Sequence, residues 1–107
     1  MQQLSVRELA SWLQDDDRAK PLLLDVREPS EFEYCAIGGS MLMPLGYVAT
    51  RLSELDAEKE IVCICHHGGR SMQAARYLSQ QGFKKLFNLS GGVHAWAQQI
   101  DQSMPTY

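Results

Sequence analysis

No stretch of this chain approaches the roughly 18 consecutive apolar residues that crossing a bilayer requires. Its start also lacks a basic segment running into an apolar stretch with a small-residue cleavage site. A water-soluble, cytoplasmic protein with no membrane partner is the expectation. Basic charge is scarce: Lys and Arg number 10 against 13 Asp and Glu, a net charge of -3, and no like-charge run exceeds Asp15-Asp16-Asp17. With no basic surplus to neutralise phosphates, nucleic acid is not an expected partner. Cysteine is limited to three residues, an odd number that cannot pair completely. Cys63 and Cys65 stand two apart on a predicted strand, where side chains point the same way, so reduced thiols fit better than a disulfide framework. There is no internal repeat, low-complexity tract or linker. Residues 1–107, with an ordinary hydrophobic share of 45%, read as a single domain.

Hydrophobic spacing gives the order of elements. Ser5-Val6-Arg7-Glu8 has capping-box spacing, and Val6, Leu9, Ala10 and Leu13 then recur at helical intervals. Leu22 to Val26 is a short apolar run after Pro21 that reads as a buried strand, followed by a loop or helix start at Glu28-Pro29-Ser30. Ser40 to Met43, between Gly38-Gly39 and Pro44, is expected to be a second buried strand, and Val48, Leu52 and Leu55 mark an expected helix face. Ile61 to Cys65 is the clearest strand, and a helix is expected from Ser71 to about Gln80, with Gly82 as its stop. Lys85 to Leu89 is a further strand, and Gly91-Gly92 opens a helix with Val93, Trp96, Ala97 and Ile100 on one face. The tail from Asp101 is expected to be irregular. Alternating strands and helices with short connections predict an α/β domain with a mostly parallel sheet and helices on both faces.

Ligands of such sheets gather beyond the carboxyl ends of the strands, and Cys65 stands at one. The segment Cys65-His66-His67-Gly68-Gly69-Arg70-Ser71 leaves the best strand and turns into a helix. Backbone N–H groups in a glycine-containing turn can converge on one point, and a helix N-terminus adds positive potential there. That field favours a thiolate, the nucleophilic form of cysteine. Arg70 offers a permanent charge with several donors, suited to a sulfonate or sulfate-like group. Gly68 and Gly69 tolerate unusual backbone angles and keep the centre open, and Ser71 serves as N-cap or as a hydroxyl donor to the loop.

The segment resembles the active-site loop of the rhodanese family, in which a cysteine, two variable residues, a glycine and one more residue precede arginine and serine. The resemblance extends to Leu23-Leu24-Asp25-Val26-Arg27-Glu28-Pro29 with Glu31-Phe32, to Met43-Pro44-Leu45, and to Leu89-Ser90-Gly91-Gly92-Val93-His94-Ala95-Trp96, covering nearly the whole chain. Ala36 and Gly38 stand where the family commonly has histidine and proline. The resemblance implies a rhodanese-like sheet of about five strands. It also implies a thiosulfate-type sulfurtransferase, with Cys65 as nucleophile and His66, His67, Gly68, Gly69, Arg70 and Ser71 as the substrate-binding loop. The donor would be thiosulfate or a similar sulfane compound, and the acceptor cyanide or a thiol, with a protein persulfide partner as the alternative. No metal or organic cofactor is implied. Four residues separate Cys65 from Arg70, whereas cysteine phosphatases resembling this fold have one more, so the tighter loop points to sulfur rather than phosphate.

The other chemistry-bearing residues read more plainly. Asp25, Arg27 and Glu31 are similar to a family network that braces the strand end. Cys63 and Trp96 are expected in the core, and Cys35 as an incidental half-buried thiol rather than one that resolves a persulfide. His66 and His67 are read as loop residues, because adjacent histidines seldom face one ion.

Overall fold

The computed structural model describes residues 1–107. Five strands form one sheet in the order β1 (Gln2–Leu4), β5 (Leu86–Leu89), β4 (Ile61–Ile64), β2 (Leu22–Asp25), β3 (Met41–Leu42). Every pairing is parallel, so the expected mostly parallel sheet is parallel throughout. Parallel strands need crossovers: α1 (Val6–Gln14), α2 (Pro29–Tyr34) and α3 (Gly69–Gln80) lie in three of them, and α4 (Gly92–Gln99) follows the last strand.

The alternation of side chains along β4 splits the core into two layers. Cys63 and Cys65 join Leu24, Ala74, Ala75 and Leu78 on the α3 face. Val62 and Ile64 join Leu9, Trp12, Phe87, Val93 and Trp96 on the face covered by α1 and α4. The expected helices on both faces follow from this division. The capping box at α1 forms as expected, with the Ser5 Oγ accepting from Glu8 N–H at 3.1 Å and the Glu8 carboxylate accepting from Ser5 N–H at 2.9 Å.

Three expectations change. The strand expected over Ser40 to Met43 shortens to Met41–Leu42, and both residues are half-buried because β3 is an edge with a neighbour on one side only. The helix expected through Val48, Leu52 and Leu55 is instead two short 3-10 turns, Leu45–Tyr47 and Leu52–Glu54. Val48 and Leu55 still reach the core, so the apolar spacing reflected burial of separate turns rather than one helical stripe. Finally, α3 begins at Gly69, two residues before the expected start, so Gly68 rather than Ser71 is its N-cap.

Candidate active site around Cys65

Cys65 is the first residue beyond β4, so its sulfur sits where the sheet ends and α3 begins. Gly68 takes φ 113° there, a conformation that side-chain-bearing residues resist, and this turns the chain into the helix. Its N–H consequently points at the Cys65 Sγ at 3.0 Å. An added Cβ at Gly68 would meet the Leu89 carbonyl at 3.4 Å and the Asn88 amide at 3.7 Å, so the turn lies close against β5. One backbone donor, rather than several, reaches the sulfur itself. The N–H groups of Gly69, Arg70 and Ser71, the first of α3, make no backbone hydrogen bond, as expected of a helix start. Cys65 is 1% exposed, so the open centre expected from the glycines is instead a covered one: the loop folds back over the strand end and packs on α4.

Ser71 lies in the first turn of α3 and is fully buried. Its hydroxyl is 3.3 Å from the Cys65 sulfur and also meets the Asn88 Oδ1. Ser71 has one proton to donate, and Asn88 Oδ1 only accepts. With a thiol, the S–H donates to Ser71 and Ser71 to Asn88. With a thiolate, the serine proton turns to sulfur. Asn88 is fixed by donating Nδ2–H bonds to Gly68 O at 3.2 Å and Gln3 Oε1 at 3.0 Å. Neither Asn88 nor Gln3 was singled out by the sequence. The one available signal was a polar residue inside the apolar run Leu86-Phe87-Asn88-Leu89.

The bracing network expected from Asp25, Arg27 and Glu31 is present. The Arg27 guanidinium is completely buried and donates to both Asp25 oxygens, with Nη2 to Oδ2 at 2.8 Å. Its remaining N–H groups reach the Cys35 carbonyl at 2.7 Å, the Glu31 carbonyl at 3.3 Å and the Tyr107 hydroxyl at 2.9 Å. Burial opposes the charge, but the hydrogen bonds to Asp25 and Tyr107 more than offset this and raise the Arg27 pKa. Arg70 extends the network, donating to both Glu31 oxygens at 2.7 and 2.9 Å. That contact holds the Glu31 carboxyl at about 2, against its ordinary 4.5. Both terminal nitrogens of Arg70 are thus engaged by Glu31.

Tyr107 was not singled out either, because it stands in the irregular tail. Its hydroxyl donates to Glu31 Oε2 at 2.8 Å, and its ring stacks on His66 with centroids 3.8 Å apart. His67 is exposed, while His66 and His94 are half-buried beside it. Cys63 is fully buried, and burial followed by the neighbouring Cys65 charge pushes its thiol up to about 12. It is a core residue, as expected. Cys35 is nearly buried at the end of α2, with its carbonyl on Arg27.

Beside this site, a cavity of about 530 Å³ runs between α3 and the 3-10 turn at Leu45–Tyr47. Val26, Leu45, Val48, Ala74 and Tyr77 make it largely apolar, with Arg70 and Glu28 supplying charge. No helix is long and apolar enough to cross a membrane.

Known proteins resemble this chain in sequence and fold. A chloroplastic rhodanese-like/PpiC domain-containing protein of Arabidopsis thaliana is 41% identical over 97% of this chain, which spans 36% of that relative. A sulfurtransferase of Allochromatium vinosum is 38% identical, the match covering 77% of each chain. The crystal structure of a rhodanese-related protein from Thermoplasma volcanium superposes with a TM-score of 0.83 at 27% identity, covering 94% of both chains. Residues 5–99 match the rhodanese-like domain, and the chain belongs to the rhodanese-like domain family.

Proposed function

We propose that this chain is a sulfurtransferase in which Cys65 carries a sulfane sulfur as a persulfide. The observation that carries the reading is the Gly68 N–H at 3.0 Å from the Cys65 sulfur, at the start of a helix whose first amides have no backbone partner. The thiolate is stabilised by that N–H, by the Ser71 hydroxyl and by the helix N-terminus. It attacks the outer sulfur of thiosulfate or a similar donor. A new S–S bond forms at Cys65, the bond to the sulfonate sulfur breaks, and sulfite leaves with the electron pair. Arg70 offers its charge to the sulfonate oxygens. His66, His67, Gly68, Gly69, Arg70 and Ser71 form the substrate-binding loop in this reading, and the unpartnered amides of α3 supply positive potential for the added sulfur's negative charge. Cyanide or a thiol then attacks that outer sulfur, and the Cys65 thiolate is restored. This is two-step nucleophilic catalysis.

The test is thiocyanate release from thiosulfate and cyanide. Turnover with ping-pong kinetics, lost in Cys65→Ser, is expected; turnover retained by Cys65→Ser refutes the assignment. A second reading, a relay carrier loaded by a protein persulfide donor with little small-molecule turnover, draws on two observations. The apolar cavity beside Arg70 fits an organic group better than an inorganic ion. An adenylyltransferase and sulfurtransferase of Drosophila grimshawi is 37% identical over 99% of this chain, which spans 25% of that relative. Persulfide loading from a protein donor without appreciable thiosulfate turnover would favour the carrier.

A further inference from the structure

Three histidines from two elements meet beside the loop. His66 and His67 follow Cys65, and His94 lies in the first turn of α4. The His94 N–H donates to the His66 carbonyl at 3.1 Å, and the Val93 N–H to the Cys65 carbonyl at 3.0 Å. Gly92 permits this approach, since a Cβ there would lie 2.3 Å from both carbonyl oxygens. The backbones bearing His66 and His94 are thus tied together independently of their side chains.

One ring nitrogen from each histidine lies within 4.8 Å of the other two. His66 Nε2 and His94 Nδ1 are buried and have no hydrogen-bond partner. Leaving such an atom unsatisfied costs about 1–3 kcal/mol, so two of them within one histidine cluster call for a partner. Tyr107 stacks on the face of His66, so its ring does not block the single in-plane nitrogen lone pair of the neutral imidazole. The Tyr107 hydroxyl is engaged elsewhere, accepting from Arg27 and donating to Glu31.

We propose that His66, His67 and His94 bind a borderline divalent transition-metal ion, of which Zn²⁺ is the simplest case. Neutral imidazole is the commonest protein ligand for such ions. Zn–N bonds of about 2.0–2.1 Å place tetrahedral ligand nitrogens roughly 3.3 Å apart. Closing the present spacing to that value takes side-chain rotation, for which the exposed His67 has room. Adjacent histidines alone seldom face one ion; His94, arriving from α4, completes a three-nitrogen set and leaves a fourth position for water or an exchangeable ligand. The site does not depend on whether Cys65 carries sulfur.

The test is calorimetric titration of Zn²⁺ into the full chain carrying Cys65→Ser, which removes the thiolate as a competing ligand. The same titration is repeated after adding His94→Ala or His67→Ala. Saturable binding is expected in the parent, weakened on the order of tenfold or more by each histidine substitution. Thermal melts without metal confirm folding. Should His94→Ala fail to fold, His67→Ala, at an exposed side chain, decides alone. Absence of binding in the parent, or an affinity unchanged by either folded histidine variant, overturns the assignment.

Discussion

Replacing Gly92 with alanine tests how the loop after Cys65 is seated. Gly92 has φ +58°, and an added Cβ would lie 2.3 Å from the carbonyl oxygens of Cys65 and His66. The left-handed conformation costs a non-glycine residue roughly 1–2 kcal/mol. Relief of the clash moves backbone rather than a flexible side chain, and the two hydrogen bonds nearest it join Val93 to Cys65 and His94 to His66. At about 1 kcal/mol each, their loss brings the total to roughly 3–4 kcal/mol. Gly82→Ala is the matched control: φ is +92°, but nothing lies within 4 Å of the new Cβ. It bears the conformational cost alone, and the reduced freedom of the unfolded chain is common to both variants. Urea denaturation should therefore place Gly92→Ala about 2 kcal/mol below Gly82→Ala. Persulfide loading should fall only in Gly92→Ala, because the shifted carbonyls belong to Cys65, the proposed nucleophile, and to His66. Equal stabilities would refute the reasoning, since they would mean that α4 does not clamp the loop.

Three other outcomes follow from the polar networks. Arg27→Leu strands the buried Asp25 carboxylate and should destabilise the fold by about 3–5 kcal/mol in a denaturant melt; a loss under 1 kcal/mol, roughly that of a surface pair, would contradict the brace. Glu31 has its folded pKa depressed from 4.5 to about 2, so its contribution is complete above the unfolded value and is lost as pH falls towards 2. Glu31→Gln should lower stability near neutral pH by about 1 kcal/mol, allowing for solvent screening, with the gap to wild type closing across that acid window. A gap independent of pH would contradict this account. Asn88→Ala removes partners from Ser71 and the Gly68 carbonyl and should lower stability by about 2 kcal/mol; unchanged stability together with unchanged Cys65 alkylation would show that β5 does not set the loop.

What the sequence revealed depended on whether a residue's role was local. Cys65, the turn at Gly68 and the helix after it lie within a few residues of one another, so period and motif place them together. The Asp25–Arg27 pair is equally local, but its bracing role is legible only through the resemblance to the family. β1 was not legible: Gln2 and Gln3 are exposed, and only pairing with β5 makes these residues a strand. Its contribution, Gln3 bracing Asn88, joins positions 85 residues apart. Tyr107 reaches Arg27 across 80 residues from a tail with no periodicity to read, and His94 meets His66 only once α4 is packed on the strand ends. The turns around Val48 and Leu55 show the converse error, where apolar spacing was taken for an α-helix because burial by separate 3-10 turns leaves a similar pattern.

The most direct measurement is the intact mass of the protein after thiosulfate treatment, followed by peptide mapping of the added sulfur. The account predicts one sulfur on Cys65, removed by cyanide. Sulfur mapped to Cys35 or Cys63 with Cys65 unmodified would contradict it.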